Sequence, residues 1–540
     1  MKSSEKQMDV QKIFPLVITI LMCLAIHGYR FSNNMFSHDA LLDVVQNDAA
    51  WEVALGRFFQ PVLVFFRGTL CSPWLLCLLQ SVWLALSVHL LVDVLQIRKK
   101  STIAAVAGVV VSSETFIVLN ASFLTWSDIY AFALFAAVLG VYCIEKKKIL
   151  YTLWGICFLV ISLATYQAYI CVSITLMLML AVLSLCRFET DWKDIIKRVL
   201  YYVVILVSAV VIYYVLWQLV RGVLGIWAAE GYNGMASVGQ YGQGEIFASV
   251  LRAYENVFTY FAEPAVMSNI VFRGMKLSDI WKYALVIINA VMGGVILYGV
   301  ILVCHRQRVR QKPKAADLAF RYTCLALALL LFPMACNFVC IMSKGMEHVL
   351  MMFGTVMLYV FAAIAAEKAE CGQNTDITDA DPVPAGHFCF LRRITVSRLV
   401  FFSLCVVVWV HFVYANQIYL KKAQQEKAAY SMLTRIVADV EDMPGYVPGI
   451  TQVAISGHFE DAPCLTELSG FEELKPYSMG KTSLTYQGTD YAMINYYLGV
   501  NMNLTRVDAS DEAIKQMPLY PAEGSIAEIN GIIVVKISNE

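Results

Sequence analysis

Charge is what this sequence has least of. Only 15% of its 540 residues are Asp, Glu, Lys or Arg, while 59% are hydrophobic; ordinary soluble domains carry about 25% charged and roughly 45–50% apolar residues. That shortage excludes a water-soluble enzyme. An excess of one sign is also missing: Lys+Arg 41 balances Asp+Glu 41, so no basic field gathers nucleic acid, and no nucleic-acid partner is assigned. Neither a Gly-x-x-x-x-Gly-Lys-Ser/Thr loop nor a Rossmann glycine pattern occurs, which leaves cytosolic nucleotide use without a motif. The 15 cysteines lack metal-ligand spacing. Most, such as Cys23, Cys77, Cys171 and Cys336, sit in apolar runs as small core hydrophobes. Cys464 is alone in the C-terminal part, so no disulfide framework staples it.

What is present is apolar length. Hydrocarbon about 30 Å thick needs about 20 mostly apolar residues per helix. Runs of that kind lie near 13–29, 73–95, 102–119, 128–144, 149–166, 168–186, 199–220, 281–303, 322–342, 348–366 and 398–416. They predict a polytopic α-helical membrane protein with about eleven transmembrane helices. The first run is not a cleaved signal, because His27-Gly28-Tyr29-Arg30 makes a poor cleavage site.

Basic clusters alternate from loop to loop: Lys2/Lys6/Lys12, Arg98/Lys99/Lys100, Lys146/Lys147/Lys148, Arg187/Lys193/Lys197/Arg198, Arg306 to Lys314, and Arg392/Arg393/Arg398. The positive-inside rule puts them, and the N-terminus, in the cytoplasm. The loops 30–72, 120–127, 166–168, 221–280 and 343–347 then face outward. Residues 1–416 form the multispan part in this reading, and 417–540 form a small extracytoplasmic α/β cap. In that cap the spacing predicts a helix over 418–442, stopped by Pro444-Gly445 and Pro448-Gly449, and strands at 450–456 and 531–537; 491–498 reads as helix or strand. The segment 368–391 is a polar linker.

The outer loops are where water-facing groups meet lipid. In the first, Ser37 caps a predicted helix starting near His38, with Asp39, Asp43, Gln46 and Asn47 on one face. Leu41, Leu42, Val44 and Val45 would hold that helix on the membrane surface. Sugar transfer from a lipid phosphate needs a base for the acceptor hydroxyl and a cation for the departing phosphate. Asp39 and Arg57 are of those types; the plainer reading is a helix-start carboxylate and a snorkelling arginine. Glu114 is a costly ionisable group inside the third run, or one reaching water near its end. Trp126-Ser127-Asp128 reads as an N-cap with an interfacial aromatic, and Asp128 alternatively as a sugar contact. Tyr166-Gln167 suits sugar stacking and hydrogen bonding, or an interfacial belt. Lys344, Glu347 and His348 form a short loop able to meet phosphate, or merely a solvated one. The glycines between 231 and 244 suggest a glycan-contacting lid, followed by a surface helix over 246–261.

Ser37-His38-Asp39, Gly56-Arg57 and Thr165-Tyr166-Gln167-Ala168, in this order and topology, resemble the Gtr type II family of serotype-converting glucosyltransferases, over about the first 420 residues. That family resembles the GT-C class. The resemblance implies a hexosyltransferase that moves a hexose, by family glucose, from a polyprenyl-phosphate donor to a cell-surface glycan such as O-antigen, on the outer face of the cell membrane. It implies Asp39 as catalytic base and Arg57 as donor-phosphate ligand, with Lys344 and His348 as further phosphate ligands. His38, Asp43, Glu114, Asp128, Tyr166 and Gln167 are then substrate contacts. Family members often carry two adjacent acids where this chain has His38-Asp39. That departure leaves a carboxylate pair, a divalent metal site or a single base open, and no metal or other cofactor is assigned. The competing reading is a lipid or glycan flippase or transporter, which would distribute polar groups across the bilayer and use repeated halves with broken helices; the sequence displays neither.

Overall fold

The computed structural model describes residues 2–35, 41, 49–69, 71–188, 191–229, 241–267, 271–272, 275–346, 348–371, 395–467, 470–471, 474, 480–484 and 488–539. Ser37, His38, Asp39, Asp43, most of the 231–244 glycine stretch, Glu347 and most of the 368–391 linker lie outside them.

Long apolar sequence becomes long helix. In chain order the helices are α1 (Lys2–Ser32), α2 (Ala50–Ala54), α3 (Gln60–Arg67), α4 (Pro73–Val94), α5 (Lys100–Val111), α6 (Glu114–Ser122), α7 (Ser127–Glu145), α8 (Ile149–Thr165), α9 (Ile170–Cys186), α10 (Trp192–Leu224), α11 (Glu245–Ala262), α12 (Leu277–Gln311), α13 (Ala315–Cys336), α14 (Phe338–Met342), α15 (Val356–Cys371), α16 (Val396–Glu441), α17 (Thr489–Ala492) and α18 (Glu512–Gln516). Among the described residues ten stretches are long and apolar enough to cross a membrane, and Ile149–Thr165 is a shorter apolar helix. Each of the eleven predicted runs falls on one of these. The chain is a multi-pass membrane protein.

Among the described residues the third and ninth runs are broken within their length, which corrects the expectation of unbroken helices, and the fourth, sixth and tenth each open with a 3₁₀ turn. The third is split at Ser112-Ser113 between α5 and α6. Twelve residues of α5 advance about 18 Å at 1.5 Å each, so the break lies deep in the bundle. The ninth breaks at Asn337, between α13 and α14, and the tenth opens with a 3₁₀ turn, Val349–Thr355. Irregular backbone at such depth must be covered by protein. At the first break His27 Nε2 lies 3.0 Å from the Val111 carbonyl, the ring's Nδ1 lies 2.7 Å from the Tyr419 hydroxyl, and His411 bonds to the Ser112 backbone. Both histidines are buried.

The predicted helices at 398–416 and 418–442 are one. Nothing in the sequence between them breaks a helix, and α16 runs 46 residues through both. It leads into a four-stranded sheet of β3 (Gln452–Ser456), β4 (Asn503–Thr505), β5 (Ile526–Ile529) and β6 (Ile532–Lys536), after a short β1–β2 hairpin (Val271–Phe272, Met275–Lys276) earlier in the chain. Strand order is β4-β3-β6-β5, with β3 parallel to both β4 and β6 and β5 antiparallel to β6. The apolar side of α16 beyond Ala428, with Met432, Leu433 and Ile436, packs on this sheet's Val453 and Val535. Residues 491–497 are helical, α17 running into a π-helical turn that ends at Tyr497.

Candidate active site

The segment between α1 and α4 turns back into the bundle, and the reason is a set of backbone carbonyls that other helices reach for. Trp217 Nε1 donates to the Val53 carbonyl at 2.7 Å, the Tyr213 hydroxyl to Gly56 at 2.9 Å, and Gln167 Nε2 to Leu55 at 2.8 Å. Gln167 Nε2 also donates to the Tyr213 hydroxyl at 3.0 Å. Three residues after Gly56, Phe59 N–H donates to the Ala164 carbonyl, and Gln60 Nε2 donates to the Thr165 carbonyl. Gly56 has φ +83°, a turn a side chain would strain. The Gly56-Arg57 and Thr165-Tyr166-Gln167 segments, 109 positions apart in the sequence, counting from Gly56 to Thr165, are one clasp.

Arg57 comes out of this clasp over the Tyr166 ring, 4.9 Å from its centroid. Tyr130 stacks on Tyr166 at 4.1 Å. Tyr166 is thus flanked by Arg57 and Tyr130 and is itself almost fully buried. Rings continue inward: Tyr166 meets Tyr169 at 6.0 Å, Tyr169 meets Phe353 at 5.6 Å, and Phe353 meets Phe116 at 5.4 Å. The Tyr169 hydroxyl is buried and has no hydrogen-bond partner among the described residues.

The last of these rings, Phe116, belongs to α6, the helix that Glu114 opens. Ser113 caps that helix by accepting from Phe116 N–H. A helix N-terminus favours a negative charge. Thr115 donates to the Val349 carbonyl, tying α6 to the 3₁₀ turn. The phenols of Tyr260, Tyr359 and Tyr414 lie within electrostatic reach of Glu114, and Glu114 is only partly buried among them.

Asp128, in the first turn of α7, pairs with Arg67 at 3.0 Å, with both side chains almost wholly buried. Arg67 also donates to the Thr125 carbonyl at 2.5 Å and the Gly68 carbonyl at 2.9 Å. Tyr130, which stacks on Tyr166, lies two residues further along the same helix. Lys344 sits elsewhere, 3.7 Å from Glu245 and 5.9 Å from the Tyr241 ring centroid. Burial, and then Glu245, raise the Tyr241 phenol above its ordinary value. His348 accepts the Leu350 N–H at Nδ1 and meets Phe123 edge-on.

Of the predicted contacts, the structure joins Arg57, Tyr166 and Gln167, whereas Asp128 pairs with Arg67. Glu114 and His348 are neighbours across the Thr115–Val349 bond, and Lys344 belongs to a separate pair. Arg67, Tyr130, Tyr169 and Tyr213 were missed. Arg67 had a readable signal, a basic residue in a loop otherwise poor in them; the tyrosines had none. No group of three or more His, Cys, Asp or Glu side chains that could hold a metal occurs among the described residues.

No curated protein and no solved structure matches the chain. The family model described as glucosyl transferase GtrII matches residues 28–361, more than half of the sequence and all of the clasp. The chain belongs to the GtrII glucosyl transferase family.

Proposed function

We propose that this protein moves glucose from a polyprenyl-phosphate donor to a cell-surface glycan at the outer face of the cell membrane, as a GT-C-type enzyme. The observation that carries this reading is the clasp: it fixes Arg57, a cation able to bind phosphate bidentately, over the Tyr166 ring beside Gln167. In the reaction the bond between sugar C1 and the phosphate oxygen breaks, and a bond from C1 to the acceptor oxygen forms. Asp39 takes the acceptor's hydroxyl proton, and the lipid phosphate leaves toward Arg57, with Lys344 and His348 further along the outer surface. His38, Asp43, Glu114, Asp128, Tyr166 and Gln167 surround the sugar, and the 417–540 segment caps the acceptor side. The N-terminus is cytoplasmic in this arrangement.

The test is transfer of labelled hexose from polyprenyl phosphate to endogenous acceptor in membranes. Asp39→Asn and Arg57→Ala should each abolish most transfer at native expression; transfer at the native rate by Asp39→Asn removes the base assignment. The interrupted spans favour a second reading, lipid translocation, because transporters build their sites from broken helices. Movement of the donor across vesicle bilayers without acceptor, unaffected by Asp39→Asn, would favour that reading.

A further inference from the structure

The multispan part and the C-terminal sheet exchange side chains. Leu41, in the first outer loop, is fully buried, and the core it joins is that of the sheet: Met432, Leu433 and Ile436 of α16 with Val453 and Val535. In the other direction Leu474, from the connection after β3, is fully buried in the core of the membrane helices, with Phe471 packed against the same core.

Polar groups lock the exchange. Lys421, buried on α16, donates to the Phe471 and Leu474 carbonyls at 2.9 and 2.7 Å and pairs with Glu467 at 2.5 Å. One residue on, Lys422 is buried within electrostatic reach of Arg30 and Glu426. Arg30, at the outer end of α1, is buried as well and donates to the carbonyls of Asn120, Asn33 and Met35. The chain on either side of 36–40 is therefore held at both ends: at Met35 by Arg30, and at Leu41 by the sheet's core.

We infer that the C-terminal sheet is a positioning element for the first outer loop, with Leu41 as the positioning residue that seats the loop in it. Acceptor contact and catalytic-loop placement then belong to one interlocked body, and the sheet is not an independent appendage. This inference rests on the transferase reading for its kinetic consequence, but not for the anchoring itself.

Full-length protein carrying Leu41→Ala or Leu41→Met is compared with the native chain by steady-state transfer and by hydrogen–deuterium exchange. Leu41→Ala should lower kcat about tenfold or more, because small misplacements of catalytic groups are costly. KM for the donor should rise as well, since His38 and Asp43 of the proposed sugar site lie on the same loop. Exchange over 36–48 should quicken while exchange in β3 and β6 stays native, and Leu41→Met should restore both readouts. Native exchange over 36–48 in Leu41→Ala overturns the anchoring, and quickened exchange throughout the sheet reduces Leu41 to a core residue. A loosened loop with native kcat overturns the positioning role. If the native chain transfers no sugar, the transferase reading fails, while the exchange result still decides the anchoring.

Discussion

Tyr213→Phe removes one oxygen from the clasp and little else. The ring keeps its volume and its stacking on Phe58, 5.8 Å away. What goes is the 2.9 Å bond to the Gly56 carbonyl and the acceptor of the 3.0 Å bond from Gln167, while Gln167 keeps Leu55 at 2.8 Å. A buried carbonyl deprived of its donor costs about 1–3 kcal/mol. If that energy is what holds Arg57 on Tyr166, transfer should fall about 5- to 150-fold. Gln167→Met breaks the same bond from the other side and adds the loss of Leu55. The two variants should therefore be non-additive in transfer rate, with a coupling of about 0.5–3 kcal/mol. The assay is a double-mutant cycle on kcat/KM for labelled donor, paired with unfolding in detergent to count folded protein. Additivity within about 0.3–0.5 kcal/mol would refute the clasp as one unit. A lowered unfolding midpoint with a native rate per folded molecule would refute its role in placing Arg57.

Three further outcomes follow from named contacts. Arg67→Met or Asp128→Asn alone leaves a buried charge without its partner and should cost about 3–5 kcal/mol, whereas Arg67→Met with Asp128→Leu should recover much of that; unfolding midpoints of the singles close to native would contradict the pair's burial. Gly56→Ala forces a side chain into φ +83° and should cost roughly 1–2 kcal/mol, with transfer falling alongside. An alanine variant with native rate and midpoint would mean that the turn adjusts freely. Glu114→Gln keeps size and hydrogen bonding but not charge; loss of a charged contact to substrate should slow transfer by roughly 10- to 150-fold at unchanged unfolding midpoint. A native rate would assign Glu114 to structure alone.

The eleven apolar runs were legible because bilayer thickness sets a length that few soluble segments reach. Strands β3 and β6 were legible at 450–456 and 531–537 because β-branched runs sit between turn residues. The clasp was half legible. Gly56-Arg57 and Tyr166-Gln167 stood out as separate motifs, but their meeting depends on Tyr213 and Trp217, which lie in an apolar span where any aromatic looks like core. The breaks were not legible: Ser112-Ser113 contains neither proline nor glycine, and the groups that satisfy its freed carbonyls come from α1 and α16, far away in sequence. The continuity of α16 was hidden for the opposite reason. Its composition changes from lipid-facing to soluble near Asn416, yet backbone propensity does not change, so a shift of solvent was read as a shift of element.

The break at Ser112-Ser113 also explains why Glu114 is tolerable where it is. An uninterrupted helix over the same residues would bond the Phe116 and Thr115 amides internally and give the carboxylate no local positive potential. With the helix interrupted, Glu114 stands in the first turn of a new one, where unsatisfied N–H groups stabilise a negative charge. The cost moves to the end of α5, whose last carbonyls would each lose several kcal/mol in an apolar interior if left bare. His27 and His411 meet those carbonyls, and His27 is in turn fixed by Tyr419 on α16. Two histidines with no direct part in sugar chemistry thereby set where the carboxylate sits. The helix that steadies one of them is the same α16 whose Met432, Leu433 and Ile436 bury Leu41, so the break beside Glu114 and the loop after α1 both pack on one helix.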